Sequence, residues 1–232
     1  MTESWDRGDV ARLVEVAVAD PPDAWEAAGF TVVDGIVHLG HVAFRLTGLP
    51  SDGDRRGITG WTISGLDETG LTDATIDGLP TRLVVAEPDP DAPVPGAPHP
   101  NGTIGLDHLV VATPDLERTI GAFAAVGLDC RRIRETEANG TPMRQAFFRL
   151  GPTVIEVVSG DLGVGAPATE APATWFGLAI DAEDLDATAT LLGDGLGRVK
   201  VAVQRGRRIA TFRHKALGLS VAVAAMDHHG DQ

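Results

Sequence analysis

The sequence predicts an α+β fold assembled from a repeated βαβββ unit, and three observations point to it. A strand–helix–strand–strand–strand order read from Leu106 to Gly160 returns between Trp175 and Met226. The two copies share wording, since TPDLERTIGAF matches AEDLDATATLL and RQAFFRLG matches RIATFRHKALG. A fainter copy opens the chain, and stretches rich in Gly, Ala and Pro separate the units.

Residues 1–70 form the degenerate N-terminal unit. RLVEVAVADPPDAWEAAGFTVVDGIVHLGHVAFRLTG followed by GITGWTISGL reads as strand, short helix, then strands. Residues 71–103 hold one short strand, TRLVVAE, and the Pro-rich linker PDPDAPVPGAPHPNG. In residues 104–160, LDHLVVATP alternates as a buried strand and Pro114 ends it. Asp115 is placed to cap a helix in which Ile120, Phe123 and Ala124 recur at helical spacing, and Gly127 stops it. DCRRIRET is a strand, Asn139-Gly140 a turn, and MRQAFFRLG and TVIEVVSG are two further strands. Residues 161–173 are a second linker. Residues 174–228 repeat the order as WFGLAIDA, the helix EDLDATATLLGDGLG, RVKVAVQR, RIATFRH and LGLSVAVAAM.

With 232 residues, 43% of them hydrophobic, the chain can bury one large core or two small ones. A net charge of −14 excludes a nucleic-acid partner, because no basic excess exists to displace phosphate counterions. No run approaches the roughly 20 apolar residues of a membrane helix. The N-terminus has acidic residues from position 3 and no apolar core of a signal peptide, so the expectation is a soluble cytoplasmic protein without membrane partners. The single cysteine, Cys130, excludes an internal disulfide and reads as a small core residue. NGT at Asn101 matches a glycosylation sequon by chance. Unpaired sheet edges favour a homodimer.

The tandem order opening on LDHLVVATPDLERT and closing on TVIEVVSG resembles the glyoxalase/bleomycin-resistance/dioxygenase superfamily, the vicinal oxygen chelate proteins. The resemblance is clearest over Gly105 to Gly160, weaker in wording over Trp175 to Met226, and faint over Arg12 to Leu66. It implies that two modules pair their curved sheets into a cup, the N-terminal unit being left over. It also implies a divalent metal (Zn, Mn, Fe or Ni) held from the first and last strands, with His108 and Glu156 at the matching positions. Imidazole and carboxylate suit such an ion, and neither belongs in an apolar strand without a partner.

The second module departs from this pattern. Gly177 stands opposite His108, and LSVAVAAM carries no acid, imidazole or amide. Two ligands are too few for a catalytic metal, so the expectation is a site without one. A third ligand from His214, His38, His41, Glu15 or another subunit stays open. Without metal, His108 and Glu156 pair with each other or with arginines, and can serve as general base and orienter.

Alternation places Arg144, Ala146 and Phe148 on one face, matched by Arg208, Ala210 and Phe212. Either Arg144 and Arg208 reach into the cup to grip an anionic substrate, or they end at the rim paired with acids, which this composition favours. Phe148 and Trp175 are the candidate aromatic lining. GDGLGR follows a helix, so it is a helix stop and no dinucleotide site. His38 and His41 flank a turn as surface residues, and DHHGDQ is a polar tail. No nucleophile for covalent catalysis is visible. Two functions remain open. One is a glyoxalase-like enzyme (lyase, isomerase or dioxygenase) centred on His108 and Glu156 and acting on a small anionic or polar molecule. The other is a non-catalytic small-molecule binding protein of the bleomycin-resistance type.

Overall fold

The computed structural model describes residues 11–49, 56–66, 73–84, 96–138, 141–160 and 170–228. The expected turn at 139–140, residues 85–95 of the Pro-rich segment, residues 161–169 of the second linker and most of the polar tail lie outside them. The fold is α+β, its strands forming two mixed sheets of six and eight strands.

The first elements are β1 (Arg12–Val18), α1 (Pro22–Ala27), β2 (Ile36–Leu39), β3 (Val42–Leu46) and β4 (Ile58–Ser64), a βαβββ order. Where one strand is expected next, two occur, β5 (Asp73–Ile76) and β6 (Leu79–Val84), paired as a hairpin. Asp77 and Gly78 between them both take positive φ, 46° and 89°, as a two-residue type I′ turn requires. The next module is β7 (Thr103–Ala112), α2 (Leu116–Ala124), β8 (Arg132–Ala138), β9 (Thr141–Leu150) and β10 (Thr153–Ser159). The last is β11 (Thr174–Ala182), α3 (Leu185–Leu192), β12 (Lys200–Val201), β13 (Arg208–Thr211) and β14 (Ala222–Asp227). RVKVAVQR therefore yields only a two-residue ladder, and GDGLGR opens as a 3-10 turn after α3.

The chain divides into two compact units. One comprises the described residues within 11–14, 61–84 and 112–174. In it β4 pairs in parallel with β6, and β8, β9 and β10 form an antiparallel meander. Asp115 accepts the Arg118 N–H at 3.0 Å and caps α2, whose Phe123 enters the core. Phe123 lies 4.7 Å from Phe148 and 6.1 Å from Trp61, ring centre to ring centre. Arg118 and Thr119 of α2 both donate to the Asp77 carboxylate, at 2.8 and 2.5 Å, which ties the helix to the β5–β6 turn. Cys130 sits at the edge of this core, part-exposed.

The other unit comprises the described residues within 15–60, 93–111 and 175–228. It holds the order β2–β3–β1 and the order β12–β13–β14–β11–β7. Trp25, Phe30, Phe44 and Phe212 form its aromatic core. The end of the Pro-rich segment, read from composition as linker, is an anchor here. Asn101 is buried, its amide donates to Ala28 O, and its oxygen accepts the Thr103 N–H. Asp184 caps α3 by accepting the Asp186 and Ala187 N–H groups.

Candidate functional site

His108 lies in β7 between the Asp107 carboxylate and Leu109, which is wholly buried. Its side chain is 12% exposed, and Nδ1 donates to Asp107 Oδ1 at 2.5 Å. Asp107 has a second partner in Arg207, whose NH1 reaches Oδ2 at 2.6 Å. Arg207 is only 4% exposed, and its other two nitrogens donate as well. NH2 reaches Asp181 Oδ1 of β11 at 2.6 Å, and Nε reaches the Asp227 carbonyl of β14 at 2.6 Å. One buried guanidinium thus joins three strands behind His108.

The charges explain themselves. Burial pushes the Asp107 carboxyl up, but the hydrogen bond and charge of His108, then those of Arg207, outweigh it and hold it at about 2. Asp181 moves the other way, raised by burial and then by the like charge of Asp107, against the pull of Arg207. An ionised carboxylate can only accept, so Asp107 holds the Nδ1–H of His108 and fixes the orientation of the ring.

Glu156 stands in β10, and the Gln145 side-chain amide of β9 donates to its Oε1. The carboxylate can only accept, so it orients the amide, and Gln145 Oε1 is left buried without a hydrogen-bond partner among the described residues. The sequence expectation paired His108 with Glu156. The structure adds Asp107 as an orienting partner of His108 and Gln145 as a partner of Glu156.

Of the two alternatives for Arg144 and Arg208, both arginines have acidic partners. Ala146, Phe148 and Leu150 occupy the buried face of β9 that meets α2. Arg144 shares that face and donates to Glu117 of α2 at 2.9 Å, away from Gln145 and Glu156. Phe148 is core, packed on Phe123 with no exposed surface, so it lines no ligand site. Arg208 gives Nε and NH2 to Asp227 and NH1 to both oxygens of Asp186. Those two acids, Asp227 first, raise its pKa further. Trp175 is part-buried at the start of β11.

Three of the open third-ligand candidates are also placed. Glu15 is paired with Arg45 at 2.5 Å, His41 is exposed beside the Gly40 turn, and the His38 carbonyl accepts from His99. Among the described residues, no group of three or more His, Cys, Asp or Glu could hold a metal ion. The second module could not have supplied a counterpart to His108. A Cβ on Gly177 would meet the Ala222 carbonyl oxygen at 2.4 Å and the Ala222 Cβ at 3.0 Å, where β11 and β14 pair in parallel.

Sequence reasoning missed Asp107, Arg207, Asp181 and Gln145. The signal available was weak, namely an acid next to His108 and an arginine one place before the one chosen by alternation. Arg207 precedes β13, after the turn at Gly206, so strand alternation does not govern its direction.

No family model matches the sequence, and no curated protein matches it by sequence. Solved structures do match. A mutant of 4-hydroxymandelate synthase from Streptomyces coelicolor aligns over 97% of this chain and 94% of its own, with TM-score 0.62 and 16% identity. A xylose isomerase-like TIM barrel/4-hydroxyphenylpyruvate dioxygenase fusion protein aligns over 95% of this chain and 49% of its own, with TM-score 0.62 and 10% identity. Methylmalonyl-CoA epimerase from Mycobacterium tuberculosis covers 56% of this chain and 91% of its own, with TM-score 0.43 and 19% identity. With the repeated βαβββ order in its described residues and a structural match along nearly its whole length, the chain has the vicinal oxygen chelate fold.

Proposed function

We propose that this protein binds a small polar organic molecule and transfers a proton on it through His108, with Asp107 as the orienting carboxylate. The observation that carries this reading is the 2.5 Å hydrogen bond from His108 Nδ1 to a carboxylate that is itself pinned by buried Arg207. An ionised orienting acid keeps the imidazole in one tautomer and stabilises the imidazolium that forms when it accepts a proton. The reaction class this supports is a lyase or isomerase step that begins with proton removal beside a carbonyl. The pairing of Arg144 with Glu117, and of Arg208 with Asp186 and Asp227, shifts the expected ligand from anionic to neutral polar. Since one fold hosts many reactions, the residues carry the reading and the structural neighbours do not.

The test is proton exchange followed by NMR in D2O, with a panel of small ketones, aldehydes and 2-oxo acids. Exchange at the carbon next to the carbonyl is expected with wild type, absent in His108→Asn and reduced in Asp107→Asn. Repeating the assay with zinc, manganese, iron or nickel, on wild type and Glu156→Gln, tests for metal assistance. A second reading, binding without catalysis, is favoured by Gly177, which leaves His108 without a counterpart in the last module. Saturable binding without exchange, unchanged in His108→Asn, would establish it. Neither binding nor exchange across the panel would overturn both.

A further inference from the structure

Between positions 198 and 215 lie seven of the chain's nineteen Lys and Arg and none of its 33 Asp and Glu. In a chain of net charge −14 this is a sharp local reversal. The stretch builds β12, the turn after it, and β13. Arg207 and Arg208 are consumed internally, as described above. Arg198 and Lys200 are exposed and make no ion pair among the described residues. They border an open groove of about 620 Å³ lined by Asp186 of α3, Arg198, Val199, Lys200, Val201 and Arg208.

Within its unit, β12 is the outermost strand of its sheet among the described residues. Lys200 pairs with Ile209 and Val201 with Arg208, while Ala202 donates its N–H to Arg207 O at 2.9 Å. In an antiparallel ladder alternate residues turn their backbone groups inward, so Ala202 and Lys200 face β13 and Val201 turns its N–H and C=O to the open edge. Val201 lies in β12, and Val199 and Val203 flank it in sequence. Val201 is 80% exposed and Val203 72% exposed, an apolar stripe beside two unpaired cations.

We propose that the β12 edge docks an extended acidic peptide segment of a partner protein, which adds a strand to the sheet at Val201. Its acids would sit on Arg198 and Lys200 and its apolar side chains on the valines. Strand addition takes affinity from backbone hydrogen bonds and specificity from alternate side chains, and the edge offers both. A lysine on an edge strand ordinarily blunts pairing. Here exposed Val201 and Val203 accompany it.

The probe is a capped octapeptide of alternating glutamate and valine, titrated into the full chain by NMR and fluorescence anisotropy. Shifts centred on Val201 and Val203 are expected, with affinity reduced about tenfold or more in R198E/K200E. The same peptide with N-methylated valines, which cannot complete a ladder, is expected not to bind. Val201→Asn separates loss of the apolar contact from loss of charge. Equal binding of the N-methylated peptide, equal binding by R198E/K200E, or displacement by heparin or anionic phospholipid vesicles as effective as by free peptide would overturn the proposal. The first and last outcomes would assign a general polyanion surface instead.

Discussion

Arg207 is the residue on which the candidate site rests. It bridges Asp107 and Asp181, and its removal would leave two acids in a part-buried space with only histidines, His108 and His228, beside them. Arg207→Met is expected to lower stability by roughly 3–5 kcal/mol, read by urea denaturation, because an uncompensated buried charge costs more than the pair contributes. Asp181→Asn is expected to change stability by less than about 1 kcal/mol. Its carboxyl is already raised by burial and by Asp107, so losing the charge relieves repulsion, and the amide oxygen can still accept from Arg207. An equal loss in both variants would refute the view that Arg207, and not the charge of Asp181, holds this cluster together. His108 itself was legible in the sequence because a histidine inside LDHLVVA needs a reason. Its partner was not, because Asp107 reaches it around the backbone, against the alternation that sends neighbouring strand residues to opposite faces.

At the scale of elements, α2 and α3 follow directly from local chemistry. Asp115 and Asp184 cap them as the sequence predicts for the first and permits for the second. Strand pairing is where local reading failed. The β5–β6 hairpin carries its signal in Asp77-Gly78, a pair that selects a two-residue turn, yet the short run before it has little hydrophobic pattern. Gly177 is the instructive element-scale case. By sequence it is a missing ligand, and in the fold it is a contact that admits no side chain. Gly177→Ala is expected to cost about 1–3 kcal/mol, measured by thermal unfolding, since β11 and β14 must separate to admit a Cβ. Gly177→His would then fail to restore a symmetric ligand set.

At the scale of the whole molecule, residues far apart in sequence are fastened by buried polar groups. His99 is the clearest. It accepts the Thr31 N–H on Nδ1 at 3.0 Å, and its Nε2 contacts the His38 carbonyl at 2.8 Å. That arrangement requires a neutral ring, and burial pushes its pKa below the usual 6.5. The unfolded chain therefore takes up a proton that the folded chain refuses. Stability is complete above about pH 6.5 and declines as pH falls below it, the sign set by the extra proton on the unfolded state. His99→Gln is expected to flatten that slope in urea titrations between about pH 7 and 5. An unchanged slope would assign it to other histidines.

The sequence by itself determined the repeated βαβββ order, the α+β class, the helix caps, and His108 and Glu156 as polar residues inside apolar strands. These follow from periodicity, capping and turn chemistry, which act over a few residues. The tertiary structure alone decided which charges meet. Arg207 faces inward and Arg208 outward, Arg144 joins a helix, Phe148 is core, and Gly177 has no room for a side chain. Such outcomes depend on the twist and register of strands separated by up to a hundred residues, where a shift of one position exchanges the two faces of a strand.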